Sequence, residues 1–251
     1  MPIPASPSDP AFPADAYDAI APGYYDLAYR RGRGVQWFWH RERFRQVERS
    51  LPGGGALLDI GCGPGTFLGH YAPGYTRRLG LELSAAQVAY AREHYGRAGC
   101  EFRVADLREA RLDERFDAVV AIEVIEHLPA SAARSLLEDL REVLAPGGTL
   151  VLATPNRRSH WPLLERVVSR LGPVDYVPQH INLYDAERLR REVEAAGFES
   201  VVVRTFFVAA PFLAALSTRL AERALAWEQR RLASAGCELL LVARRPLEST
   251  P

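Results

Sequence analysis

The feature that most constrains this chain is the run Leu57-Leu58-Asp59-Ile60-Gly61-Cys62-Gly63-Pro64-Gly65-Thr66. A leucine-rich strand running straight into three alternate glycines is a strand that turns into a loop. A ligand can approach such a loop closely, because glycine accepts φ > 0 and carries no Cβ. The spacing alone does not separate nucleotide-dependent oxidoreductases from methyl-transferring proteins. Asp59 helps to do so. A carboxylate two residues before the first glycine repels a dinucleotide pyrophosphate, whereas a ligand bearing an amino group and a sulfonium tolerates or welcomes it. Thr66 also stands where the third glycine of a dinucleotide GxGxxG loop belongs. Both points favour S-adenosylmethionine as the ligand of Asp59, Gly61, Cys62, Gly63 and Gly65.

Two further carboxylates extend the pattern. Glu82, followed by Leu83, closes the next expected strand about 20 residues beyond the first glycine, where an acidic side chain can accept both ribose hydroxyl hydrogens. Asp106 ends a third strand in Phe102-Arg103-Val104-Ala105-Asp106-Leu107, where it could take the adenine amino group. One strand-end carboxylate means little. Three of them, at the carboxyl ends of three successive strands, make a specific signal.

The rest of the chain supplies the frame. Runs at 56–60, 78–83, 101–105, 116–121, 149–153, 199–207 and 238–243 read as strands alternating with helical patterns. Trp37, His40, Phe44, Val47 and Leu51 mark a helix before Pro52-Gly53-Gly54-Gly55. Leu136, Leu137, Leu140, Val143 and Leu144 mark another, with Pro146-Gly147-Gly148 as its stop. A third runs from Asp185 as N-cap to Gly197 as terminator. This alternation predicts an α/β, Rossmann-like fold: a seven-stranded, mostly parallel sheet with helices on both faces and ligand outside the carboxyl ends of the central strands.

The expectation is a single domain over residues 1–251, with a flexible Pro-rich arm at residues 1–14. Two helical segments are added to the frame. Residues 156–180, after the fifth strand, carry Trp161, Leu164, Val168 and Leu171 at helical spacing. Residues 211–233, between the last two strands, read as one helix with Leu213, Leu216, Leu220, Ala224 and Trp227 on a stripe. Packing on the core is the plainer reading of both. A lid over substrate, or an interfacial face, is the sharper one.

Composition removes several classes of function. Thirty-one basic residues balance thirty-one acidic ones, so no net field draws the chain to nucleic acid. Every basic residue is Arg, which excludes a lysine nucleophile or Schiff base. Cys62, Cys100 and Cys237 lack CxxC spacing and are odd in number, which suits a reducing cytoplasm. The amino-terminal residues lack the basic start and apolar core of a secretory signal.

LLDIGCGPGTFL, GLELS, FRVADL, FDAVVAIEVIEHL and LAPGGTLVLATPN together resemble the ordered motifs of class I S-adenosylmethionine-dependent methyltransferases, over roughly residues 52–200. Within that superfamily, Glu123-Val124-Ile125-Glu126-His127-Leu128 and the later Thr154-Pro155-Asn156-Arg157 are similar to the ubiquinone-biosynthesis O-methyltransferase group and its small-molecule relatives. The resemblance implies that Asp59, Gly61 and Gly63 line the methionine end, that Glu82 holds the ribose, and that Asp106, Leu107 and Ile122 surround the adenine. It further implies that Tyr24, Tyr25 and the helix around Arg43 close over the cofactor.

An acceptor hydroxyl must lose a proton, and His127 and His180 are the candidate bases, each weighed against a structural histidine. If a helical turn begins at Glu123, then Glu123, Glu126 and His127 share one face and could hold a divalent ion such as Mg. A capped turn without metal is the competing reading. The partner expected is a small-molecule acceptor, most simply a phenol, quinol or natural-product hydroxyl, with no nucleic acid. Transfer to nitrogen or carbon, or a catalytically silent S-adenosylmethionine-binding regulator, are the alternatives. On the 161–171 helix, Glu165, Arg166 and Arg170 lie opposite the apolar stripe, which would suit peripheral membrane contact by a protein whose acceptor is lipid-like.

Overall fold

Leu57 and Leu58 are both fully buried although neighbouring strand side chains point to opposite faces, so the sheet they enter is covered on both sides. In the computed structural model, described for residues 20–106, 112, 114–171, 175–232 and 234–248, that sheet has seven strands. They are β1 (Gly54–Ile60), β2 (Tyr75–Glu82), β3 (Cys100–Val104), β4 (Phe116–Ile122), β5 (Leu144–Pro155), β6 (Glu199–Phe206) and β7 (Glu238–Arg244). Their order is β3-β2-β1-β4-β5-β7-β6, parallel except that β7 runs antiparallel to both β5 and β6. The mostly parallel, helix-covered sheet is the one the alternation implied. The expected arm at residues 1–14, and Leu107, lie outside the described residues.

Chain order reverses between β1 and β4, which creates a crevice at their carboxyl ends. On one face Leu57, Ala118, Val120 and Val151 pack with the helices α1 (Tyr24–Arg30), α2 (Gly34–Glu48), α3 (Thr66–Tyr71) and α4 (Ala85–Tyr95) or their neighbours. On the other, Leu58, Val119, Leu150 and Leu241 meet α5 (Ala130–Val143) and α7 (Ala186–Ala195), while α6 (Trp161–Leu171) lies between β5 and α7 in sequence. Asp185 caps α7 through the Arg188 N–H at 3.0 Å, as its sequence position suggested. Helix α5 ends at Val143 and β5 begins at once at Leu144, so Pro146-Gly147-Gly148 sits inside the strand's span and does not stop the helix.

The 211–233 segment departs from the expected single helix. It forms α8 (Ala210–Leu213) and α9 (Thr218–Arg231), with Ser217 accepting the Leu220 N–H at 3.3 Å as a new N-cap. Ala221, Leu225 and Glu228 form the buried face, while Leu216 is 81% and Trp227 52% exposed. The register is set by a polar anchor that hydrophobic periodicity does not reveal. The Glu228 carboxylate accepts the N–H groups of Val208, Ala209 and Ala210 at 2.9, 2.7 and 2.8 Å.

Candidate active site

At the carboxyl end of β1 the chain turns through Gly61, Gly63 and Gly65, all at positive φ. Gly61 could not be replaced without collision, since a Cβ there would come within 2.5 Å of Val124. Gly63, at φ +51°, faces open space, and its N–H donates to Glu82 at 3.0 Å. The other Glu82 oxygen accepts the Ser84 N–H at 2.9 Å, which ties the end of β2 to the glycine loop.

A cavity of about 300 Å³ opens here, lined at this end by Asp59, Cys62, Gly63, Glu82 and Ile122. Among the other residues expected to hold the cofactor, Gly61 and Gly65 shape the turn, while Leu83 and Asp106 follow the ends of β2 and β3 beyond the lining. Burial, then the neighbouring Glu82 charge, pushes the Asp59 carboxyl well above its usual range. Burial likewise raises Glu82, against the backbone N–H groups of Ser84, Gly63 and Leu83 that favour its charged form. Two buried carboxylates short of positive charge suit a cationic ligand that also offers hydroxyl donors.

Helix α1 straps the amino-terminal side over this end. Asp26, fully buried, accepts Thr66 Oγ1 at 2.9 Å and Tyr90 OH at 2.8 Å, contacts Tyr95 OH closely, and pairs with Arg30 at 2.7 Å. Tyr25 and Arg43, which the resemblance sets over the cofactor, line the cavity. Tyr24 instead accepts Gln36 Nε2 at 3.1 Å.

The far end of the same cavity is a chamber walled by Trp39, Phe44, Trp161, Leu164, Val168, Tyr176 and Phe212, with Glu123, His127 and His180 among its polar groups. Both candidate bases therefore reach one space, but in different states. His127 lies with Nδ1 2.9 Å from the Gln179 carbonyl, and burial, reinforced by His180, depresses its pKa to about 3. Burial also opposes charge on His180, yet the Glu165 carboxylate against Nδ1 and the charges of Glu126 and Glu238 hold its pKa above the usual value.

The metal set expected from the sequence is not assembled. Glu123 adopts φ +57°, and the helical turn starts only at Ile125, so Glu123 does not share a face with Glu126 and His127. It pairs with Arg43 at 3.1 Å instead. Such left-handed geometry in a non-glycine residue is strained and concentrates at functional sites. Among the described residues, the acidic and imidazole groups that do converge are Glu126, His127 and His180, with ligand atoms within 4.8 Å of one another. Adjacent ligands around a divalent ion, at bonds of about 2.1 Å, stand roughly 3 Å apart, so this group would have to contract to hold one.

Several of the pairings that build this wall were not read from the sequence. Arg43 bridges Glu123 and Glu238, and Trp39 Nε1 donates to Glu238 at 2.8 Å, so the first residue of β7 anchors the chamber floor. A lone charge opening the apolar run Leu239-Leu240-Leu241-Val242 was the available signal. Glu165, assigned from periodicity to a solvent face, is only 6% exposed. That removes it from the polar face proposed for membrane contact. Arg43 Nε, Glu123 Oε1 and Trp161 Nε1 are buried in this wall without a hydrogen-bond partner. Each such orphan costs about 1–3 kcal/mol, and a polar ligand group in the chamber would recover part of it.

Residues 29–203 match a family described as a methyltransferase domain. A Mycolicibacterium smegmatis protein described as a probable S-adenosylmethionine-dependent methyltransferase is 34% identical over 65% of this chain and 59% of its own length. A Bradyrhizobium ubiquinone biosynthesis O-methyltransferase is 36% identical over 40% of each chain. A Streptomyces venezuelae N,N-dimethyltransferase of a dTDP-amino sugar is 32% identical over 54% of this chain and 57% of its own. The chain thus spans between 40% and 59% of the length of these curated relatives. In fold it is similar to the methyltransferase solved in complex with the Haloferax volcanii Trm112 activator. The TM-score is 0.63 at 22% identity, covering 96% of this chain and 100% of that one.

Proposed function

The chain belongs to the class I S-adenosylmethionine-dependent methyltransferase family, and from that premise we propose that it moves the methyl group of S-adenosylmethionine to the hydroxyl of a small, largely apolar acceptor. One observation carries this reading: a single cavity joins the buried carboxylates Asp59 and Glu82 to an aromatic chamber ending on His180. When bound, the donor supplies a sulfonium-activated methyl carbon and leaves as the neutral thioether. Asp59 and Glu82 hold it by charge and by accepting its ammonium and hydroxyl hydrogens. Aromatic walls exclude water and aim the acceptor oxygen at the methyl carbon, and such alignment supplies much of the rate in an in-line displacement. With donor and acceptor bound, an oxygen–carbon bond would form as the carbon–sulfur bond broke, and His180 would take the hydroxyl proton. His127, held neutral, shapes the chamber beside it.

An amine acceptor is the second reading, favoured by the surplus of carboxylates around the chamber. Glu123, Glu126, Glu165 and Glu238 face Arg43 and His180, and an amino-sugar N,N-dimethyltransferase is among the relatives. Incubation with methyl-labelled S-adenosylmethionine and a panel of catechols, hydroquinones and aryl amines decides between them. Label in the aryl ethers supports the hydroxyl reading, and label confined to the amines overturns it.

A further inference from the structure

Glu165 lies on the helix that walls the acceptor chamber, between Leu164 and Arg166, yet its side chain points away from solvent and is 8% exposed. A carboxylate is costly to bury unless a cationic or hydrogen-bonding partner meets it. Its partner is His180 Nδ1. Neither Glu165 Oε1 nor His180 Nδ1 meets any other hydrogen-bond partner, and a carboxylate favours a proton on the imidazole nitrogen that faces it, so this contact favours Nδ1–H and leaves the lone pair on Nε2.

Other groups near His180 come from every side. Glu126 and His127 approach from the turn after β4, with His127's ring 4.8 Å away. Glu238 acts from β7, and Tyr176 from the preceding loop at 6.0 Å between rings. Glu126 commits one oxygen to the Thr154 hydroxyl at 2.8 Å. Glu165 alone among these carboxylates is in ion-pair contact with Nδ1.

We propose that Glu165 is a positioning residue that fixes His180 as the Nδ1–H tautomer, so that Nε2 is the atom able to take the acceptor's proton. The role of Nε2 rests on the reading of His180 as base, whereas the tautomer does not. Trp161, Leu164 and Val168 wall the chamber from the same helix, so one element both contacts the acceptor and readies the base. A base whose tautomer and orientation are preset has fewer wrong arrangements to escape before proton transfer.

Long-range ¹H–¹⁵N spectra of the imidazoles, recorded on the full chain saturated with S-adenosylhomocysteine, test this, with His180→Ala identifying the signals. Wild type is expected to show the Nδ1–H tautomer at His180. Glu165→Gln keeps an oxygen that accepts Nδ1–H but loses the charge. It should therefore retain the tautomer and lower the His180 pKa by about one unit, a tenfold change in proton affinity. Glu165→Leu should release the tautomer preference as well, and if that variant does not fold, the near-isosteric Gln variant still decides through the pKa. An Nε2–H tautomer in wild type, or a His180 pKa unmoved in Glu165→Gln, overturns the assignment. If the tautomer is as proposed but His180→Ala retains full turnover, the reading of His180 as base fails while the positioning by Glu165 stands.

Discussion

The two ends of the cavity are built in opposite ways. At the donor end, Asp59, Gly63 and Glu82 come from the carboxyl ends of adjacent parallel strands, within one glycine loop and its neighbour. At the acceptor end, Trp39 and Arg43 come from α2, Glu123 and His127 from the turn after β4, Trp161 and Glu165 from α6, and Glu238 from β7. A short stretch of sequence can specify the first end, because strand register fixes where each side chain stands. The second exists only after distant segments pack together. The donor end is therefore where a family shares its chemistry, and the acceptor end is where its members can differ.

Breaking the acceptor end should cost most. His180→Ala is predicted to lower kcat by about 10²–10⁴-fold, the usual weight of a positioned base, with S-adenosylmethionine affinity unchanged by calorimetry. An equal loss in both would mean that the two ends are not separable. At the donor end, Glu82→Ala should weaken S-adenosylmethionine binding by about 10–100-fold, through loss of charge-assisted hydrogen bonds worth roughly 1.5–3 kcal/mol. The Glu82 change should leave the pH dependence of kcat unaltered.

The strap over the donor end gives a third comparison. Asp26→Ala leaves Thr66, Tyr90 and Tyr95 without their shared acceptor. It should lower unfolding stability by about 2–3 kcal/mol, read as a smaller denaturant midpoint. An unchanged midpoint would show the strap to be idle. pH sharpens the contrast further. As the proposed base, His180 would act only when neutral, and its surroundings hold its pKa above the ordinary 6.5. Turnover should therefore fall as pH drops through that raised value and be full above it, and a limb well below 6.5 would point to a different base. The smallest expected effect is that of a chelator. Because Glu123 is taken by Arg43 and the remaining ligand atoms stand far apart, EDTA should leave turnover unchanged.

This difference between the ends also decides what could be read from sequence. All seven strands were legible, because leucine-rich and β-branched runs between glycine and proline punctuation carry their own signal. Asp59 and Glu82 were placed for the same reason. The Glu123 turn was misread because nothing in Glu-Val-Ile-Glu-His announces a left-handed residue, which Arg43 and the Ala153 carbonyl hold in place. Glu165 was misread because periodicity assigns a charge to solvent unless its partner is known, and His180 lies across a loop. Trp227 was misread because Glu228, a polar residue, supplies the anchor of α9.

Titration calorimetry of the purified chain with S-adenosylmethionine, S-adenosylhomocysteine and NAD tests most directly the claim that the glycine loop and its carboxylates select a sulfonium nucleoside. The predicted result is saturable binding of both S-adenosyl compounds at one site per chain, lost or sharply weakened in Glu82→Ala, with no heat from NAD. Tight NAD binding with no response to either S-adenosyl compound would contradict it.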